Sequence, residues 1–207
     1  MKKLLTTILF LACGVLSTAS AQDARTMFLT IPQQVLPLLS YNSRADLVDY
    51  AEANMTARTR NELYGESELK VLTADYLLLE TTTSSTMQMK LLPIADKTVV
   101  CVVKSVKAEA VDSRISFYDS SWNELETAEF FAVPSIRDFF TPAGATDDNL
   151  ALCDIYLVSL SLNPADSSLV AEYTMPAYMG EDEAAAISPL LRKLVYVWKN
   201  GRFVLTE

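Results

Sequence analysis

Hydroxyls, carboxylates and aromatics are the residues here whose types and spacing bear on chemistry. Six hydroxyl side chains run together at residues 81–86 (TTTSST), between two apolar segments. At a strand end they would present a cluster of hydroxyls to a ligand, but as nucleophiles they would need a base. The chain contains no histidine. Ser-His and Cys-His nucleophile systems are therefore excluded, as are His-based zinc or iron sites. Without that base the run reads as a hairpin: β-branched Thr suits the arms, residues 76–82 and 85–91, and Ser suits a turn near Thr83 and Ser84.

Ser67-Glu68-Leu69-Lys70 spells S-x-x-K, the nucleophile motif of penicillin-interacting serine enzymes. That chemistry needs the serine at the start of a buried helix, together with S-D-N-like and K-T-G elements. Neither partner element is present, and a strand pattern follows the motif. Two acidic clusters, Gly180-Glu181-Asp182-Glu183 and Asp147-Asp148-Asn149, offer oxygen ligands for calcium. Neither follows the D-x-[DN]-x-[DN]-G loop, so both read as solvated loop charge. The 26 acidic residues also provide many carboxylate pairs for glycoside hydrolysis, and nothing singles one out. None of the five glycines builds a phosphate-cradling loop. No cofactor, metal or catalytic set is expected.

Aromatic side chains are the remaining candidates: Tyr118, Trp122, Tyr156, Tyr196 and Trp198. On an inner sheet face they are core; on an outer face they suit a protein or glycan surface. Alternation in SRISFYD points Ile115 and Phe117 inward, with Arg114 and Ser116 outward, and sets Tyr118 opposite Ile115 and Phe117. Tyr118, with Trp122 in the turn beyond it, forms the candidate binding surface.

Several elements must position these residues. The segment QDARTMFLTIPQQVLPLLS carries Pro32 and Pro37, which predict an extended start with a short turn of helix. SRADLVDYAEANMTA predicts the main helix, with Ser43 and Asp46 at capping-box spacing and Leu47, Tyr50, Ala51 and Met55 on its apolar face. Strand patterns follow. In residues 86–92, Met87, Met89 and Leu91 alternate with Gln88 and Lys90, as in a half-buried strand. KTVVCVVKSV is apolar on both faces around Cys101 and reads as a central strand. DSSWN predicts a turn into a short return strand, and PSIRDFF a short helix. LCDIYLVSLSL, which includes Cys153, predicts a long strand. SLVAEYTM returns, and Asn200-Gly201 closes a C-terminal hairpin. Both Cys101 and Cys153 read as buried free thiols, with a disulfide between them the alternative that export would permit.

The two halves resemble each other. LTADYLLLE (72–80) aligns with ALCDIYLVS (151–159), and SRISFYDSSWNEL (113–125) with RKLVYVWKNGRFV (192–204), both at an offset of 79 residues. The expectation is an α+β fold of mainly antiparallel sheet with a few short helices, as two similar helix-plus-four-strand halves. These cover residues 22–130 and 131–207 and pack as one unit.

Residues 1–21 have the form of a secretory leader. Lys2 and Lys3 precede an apolar run at residues 4–16, and Ala19-Ser20-Ala21 fits the small-x-small cleavage rule, predicting a mature start at Gln22. A competing lipoprotein-like box ends at Cys13, with a poor Phe10 at its first position. The mature chain has 207 − 21 = 186 residues and a formal charge of 15 − 26 = −11. Such acidity argues against a nucleic-acid partner. No segment of the mature chain is long and apolar enough to span a membrane as a helix.

LPLLSYNSRADLVDYAEANM, LTADYLLLETTTSSTMQMKLLP and DSRISFYDSSW together resemble a family of secreted Bacteroidetes proteins catalogued as domain of unknown function 3256. The resemblance implies a Gram-negative envelope protein and brings no catalytic residues with it. It also makes an N-terminal pyroglutamate at Gln22 an expectation. The leading functional expectation is non-catalytic binding of a protein, peptide or glycan in the periplasm or at the cell surface. A carboxylate-dependent hydrolase and a structural envelope component are the alternatives.

Overall fold

The computed structural model describes residues 23–206. The leader, its cleavage site at Ala21, Cys13 and Gln22 lie outside the described residues.

Two helices open the fold, α1 (Ala24–Thr30) and α2 (Tyr41–Glu52). Seven strands follow: β1 (Arg58–Arg60), β2 (Glu66–Leu72), β3 (Tyr76–Thr82), β4 (Ser85–Ile94), β5 (Lys97–Lys107), β6 (Val111–Tyr118) and β7 (Glu124–Leu125). They form one antiparallel meander in chain order, so each strand pairs with its sequence neighbours. Short helices α3 (Thr127–Phe130) and α4 (Asp147–Ala151) lead to β8 (Val158–Leu162) and β9 (Ser168–Tyr173). After α5 (Glu181–Ile187), strands β10 (Leu194–Lys199) and β11 (Arg202–Leu205) complete a four-stranded antiparallel sheet ordered β11-β10-β9-β8.

The α+β, antiparallel architecture is as expected, but the strands divide seven and four rather than four and four. Both N-terminal helices lie on the large sheet. Residues 72–80 hold the end of β2, a bend and most of β3, whereas the aligned residues 151–159 hold the end of α4, an irregular stretch and the first residues of β8. The other aligned pair does match hairpin to hairpin, β6–β7 with β10–β11.

Three layers result, because the large sheet is apolar on both faces. In β5, Val100 and Val102 point to the helical layer with Met27, Phe28, Leu47 and Val48, while Val99, Cys101 and Val103 point to the small sheet with Leu160, Leu169 and Tyr196. Phe117, Phe130, Trp198 and Phe203 stack between the sheets at ring separations of 5.0–6.4 Å. The Trp198 Nε1–H donates to the Pro93 carbonyl at 2.7 Å, tying the C-terminal hairpin to β4. That hairpin turns at Asn200 (φ 52) and Gly201 (φ 81). Glycine suits position 201 because its φ is left-handed, and a Cβ there would also crowd the Ile94 side chain, 2.5 Å from its Cδ1.

Several local readings shift. Ser40, not Ser43, caps α2: its hydroxyl accepts from the Ser43 amide at 3.1 Å. The helix therefore starts three residues earlier and buries Arg44, Leu47 and Val48, leaving Tyr50 and Met55 exposed. The N-terminal segment is a seven-residue helix capped by Asp23, ending just before Pro32. LCDIYLVSLSL is a strand only at residues 158–162, because Thr146 caps α4 and Asp147 and Asp148 fill its first turn. Cys153 thus follows a helix rather than sitting in a strand. Both Cys101 and Cys153 are buried free thiols, and burial pushes both thiols up.

Gln88 and Lys90 are the largest departure from the pattern. They occupy the polar half of an alternating strand, yet both are buried, Lys90 at 1% exposure, because the small sheet covers that face.

Candidate functional site

The structure places the hydroxyl run in the β3–β4 hairpin, with its turn at Thr83 and Ser84. Its hydroxyls are engaged locally. Thr81 donates to the Ser85 carbonyl at 3.0 Å, Thr82 and Ser85 hydroxyls lie 2.6 Å apart, and the Ser84 amide donates to Thr82 Oγ1 at 3.2 Å. Ser67 is in β2, 1% exposed, donating to the Thr81 carbonyl at 2.7 Å. Strand alternation sends Lys70 to the opposite face, where its ammonium sits 2.9 Å from Glu68 and 3.3 Å from Glu80. S-x-x-K on a strand cannot place its lysine beside its serine.

The acidic clusters are helix starts. Glu181, Asp182 and Glu183 form the first turn of α5, and Asp147 and Asp148 that of α4, where negative charge complements the helix dipole. Asp147 is also 3.1 Å from Arg137. Among the described residues no group of three or more His, Cys, Asp or Glu side chains is placed to hold a metal ion.

Of the aromatics, Tyr196 and Trp198 join the inter-sheet core, and Tyr156 is partly exposed, its hydroxyl donating to the Pro134 carbonyl at 2.8 Å. Tyr118 does point away from Ile115 and Phe117. Its face is not solvent, however, because α1 and the segment after it lie over it, leaving Tyr118 7% and Trp122 8% exposed. Their rings lie 5.4 Å apart, and the Trp122 Nε1–H donates to Thr30 Oγ1 at 3.3 Å. Trp122 adopts φ 65, a left-handed conformation unusual for a bulky residue. The Asp119 carboxylate supports it by accepting from the Ser121 and Asn123 amides at 2.8 and 3.0 Å. The Asn123 side-chain amide, donating to Asp119 Oδ2 at 2.8 Å, and then these backbone bonds hold the Asp119 carboxyl below its usual range.

Tyr118 and Trp122 close one end of a groove of about 600 Å³. The segment at residues 32–35 forms one wall, and the outer faces of β5, β6 and β7 form the floor. The groove exists because the helical layer covers the β5–β7 face only at its Val102 and Tyr118 end. Beyond Val102 the floor is polar, carrying Lys104, Arg114, Ser116, Asp112 and Glu124. Lys104 and Arg114 are direct cross-strand partners. The ion pairs among the described residues use neither of them. The Lys104 ammonium reaches the Val35 carbonyl at 2.5 Å, and burial, then Arg114, hold its pKa down. A second pocket of about 230 Å³ continues on the far side of the Val35–Lys104 contact, lined by Thr81, Ser85, Thr86 and Val106. The hydroxyl run and the Tyr118–Trp122 pair thus flank one trough. Sequence alternation assigned Arg114 to the outer face, but pairing Lys104 with it required the β5–β6 register.

Asp112 and Glu124 sit toward opposite ends of the groove. Glu124 pairs with Tyr118, six residues along β6 from Asp112, a separation of about 20 Å at strand rise. Glycoside hydrolysis needs its two carboxyls roughly 5–9.5 Å apart, so this pair does not supply that mechanism.

Buried tyrosines give the core a pH limit. Burial raises Tyr196 from 10.0 to about 12 and raises Tyr173 further, so the folded state favours their neutral forms. That contribution is complete below pH 10 and is lost as pH rises through about 12. Thermal melts should therefore shift downward over this interval, with tyrosinate absorbance delayed relative to the unfolded chain. Tyr196→Phe should flatten the shift; a melt insensitive to pH across the interval would contradict it.

Fold and site together define a three-layer antiparallel α+β protein with an open polar groove on one sheet face. The chain belongs to the family described as Protein of unknown function (DUF3256), whose model matches residues 16–203. Among solved structures it is similar to a domain of an uncharacterized protein from Porphyromonas gingivalis W83, with 30% identity and a TM-score of 0.77, covering 88% of this chain and 96% of that one. No curated protein matches the chain. No helix among the described residues is long and apolar enough to cross a membrane.

Proposed function

We propose that this is an exported envelope protein that binds an extended peptide or protein segment, without catalysis, in the groove over β5–β7. The leader pattern of residues 2–21 supports export. The observation that carries the binding reading is the groove itself: about 600 Å³, open along its length, with a charged floor beside a buried aromatic end. A peptide fits better than a glycan, because sugar stacking needs an open aromatic face. Tyr118 and Trp122 are almost fully covered, and the indole N–H is already committed to Thr30.

The test uses the mature protein, immobilised and exposed in parallel to a random-heptapeptide display library and a glycan array. Wild type should enrich peptides. Ser116→Trp, which fills the middle of the floor without touching the core, should lose them at least tenfold. Enrichment of nothing, or binding indifferent to Ser116→Trp, would end this reading. Retention of glycans alone would replace the peptide with a sugar.

A further inference from the structure

Resting on that reading, we infer that the groove selects a segment carrying a single acidic side chain, whose carboxylate docks between Lys104 and Arg114. Carboxylates outnumber cations in this chain, 26 against 17. Even so, two cations stand directly opposite each other on adjacent strands with no carboxylate in ion-pair reach among the described residues. Like charges in directly opposed cross-strand positions are destabilising. Lys104 relieves part of this through the Val35 carbonyl, a neutral acceptor, while the Arg114 guanidinium makes no hydrogen bond or ion pair among the described residues. A ligand carboxylate would bridge both cations, with the planar guanidinium offering a bidentate fork.

The flanks refine the choice. Asp112 lies on one side of the cation pair and Glu124 on the other, beside Tyr118. They would repel a polyanion but leave room for one negative charge in the middle. The partner is therefore a peptide with an isolated Glu or Asp, rather than an acidic tract or a nucleic acid.

The same display selection tests this with two variants. Peptides enriched on wild type should carry one acidic residue, and replacing it with its amide should weaken binding about tenfold or more. Arg114→Gln should abolish the acidic preference. Arg114→Glu should abolish binding while raising the melting temperature by about 2–4 °C, because it converts a like-charge cross-strand pair into an opposite-charge one. That combination separates a ligand-binding cation from a structural one, whose loss would lower the melting temperature. Enriched peptides without acidic bias that still fail on Ser116→Trp would overturn the charge assignment and leave groove binding standing. If Arg114→Glu is less stable than wild type, the residual repulsion between Lys104 and Arg114 is absent and the charge assignment falls.

Discussion

Replacing Gln88 with leucine should destabilise the protein by about 3 kcal/mol, from two buried backbone groups left unbonded at roughly 1–3 kcal/mol each. Gln88 stands on β4, yet its amide serves β8. Its Oε1 accepts from the Leu162 amide at 2.8 Å and from the Tyr76 hydroxyl at 3.3 Å, and its Nε2 donates to the Leu160 carbonyl at 3.4 Å. β8 is the edge strand of the small sheet, with no strand beyond it among the described residues. Its outward amides are satisfied instead by side chains of the large sheet: Leu162 by Gln88, Leu160 by the Ser113 hydroxyl at 3.0 Å, and Val158 by Asp112 at 3.4 Å. Leucine matches the size of glutamine but cannot bond the edge. Chemical denaturation should show the loss in the midpoint with little change in slope, and the melting temperature should fall by roughly 10 °C. Ser113→Ala, which removes one acceptor from the same seam, should cost less, about 1 kcal/mol. A Gln88→Leu protein within about 0.5 kcal/mol of wild type would mean that the Gln88 bonds add nothing to the seam between the sheets.

The second large effect is asymmetric. Lys90 is 1% exposed and its ammonium lies 2.8 Å from Asp75 Oδ2, 3.1 Å from the Pro164 carbonyl and 5.7 Å from the centre of the Tyr76 ring. Asp75 is half exposed. Asp75→Ala strands a buried ammonium with one carbonyl and a ring face, at a cost of about 3 kcal/mol. Lys90→Met removes the charge, keeps the packing and leaves Asp75 to water, so it should cost less than about 1 kcal/mol. The double variant should track Lys90→Met, giving a coupling of about 3 kcal/mol, the whole Asp75→Ala cost, in a double-mutant cycle. Equal costs for the two single variants would refute this account of the pair.

Much of this fold is legible in local pattern. The hairpins of residues 76–91 and 194–205 follow from turn chemistry: Thr83 and Ser84 in one, and Asn200 with Gly201 at positive φ in the other. β5 reads as central because apolar residues on both sides of a strand need cover on both faces, and the helices and the small sheet supply it. Local pattern reads less well where a cap competes with a hydrophobic run. Ser40 and Thr146 start helices ahead of, or inside, segments whose composition reads otherwise, because one side-chain acceptor satisfies an amide that nothing else reaches.

The groove was half legible. Alternation along β6 put Arg114 and Ser116 on one face and separated Tyr118 from Phe117. It does not say which strand residue stands across from Arg114, since register is a property of the pair, nor that Val35 would close the opposite wall from outside the sheet.

By itself, then, the sequence determined the hairpins of residues 76–91 and 194–205 and the central place of β5, because each depends on residues within a few positions of one another, and its lack of histidine excluded histidine chemistry. Only the tertiary structure decided that the polar side of β4 is interior, that Gln88 and Lys90 bond a sheet about 70 residues downstream, and that Lys104 and Arg114 share a groove. Those outcomes depend on which surface covers which. The free energy that makes a buried amide or ammonium tolerable comes from partners that no local pattern can name.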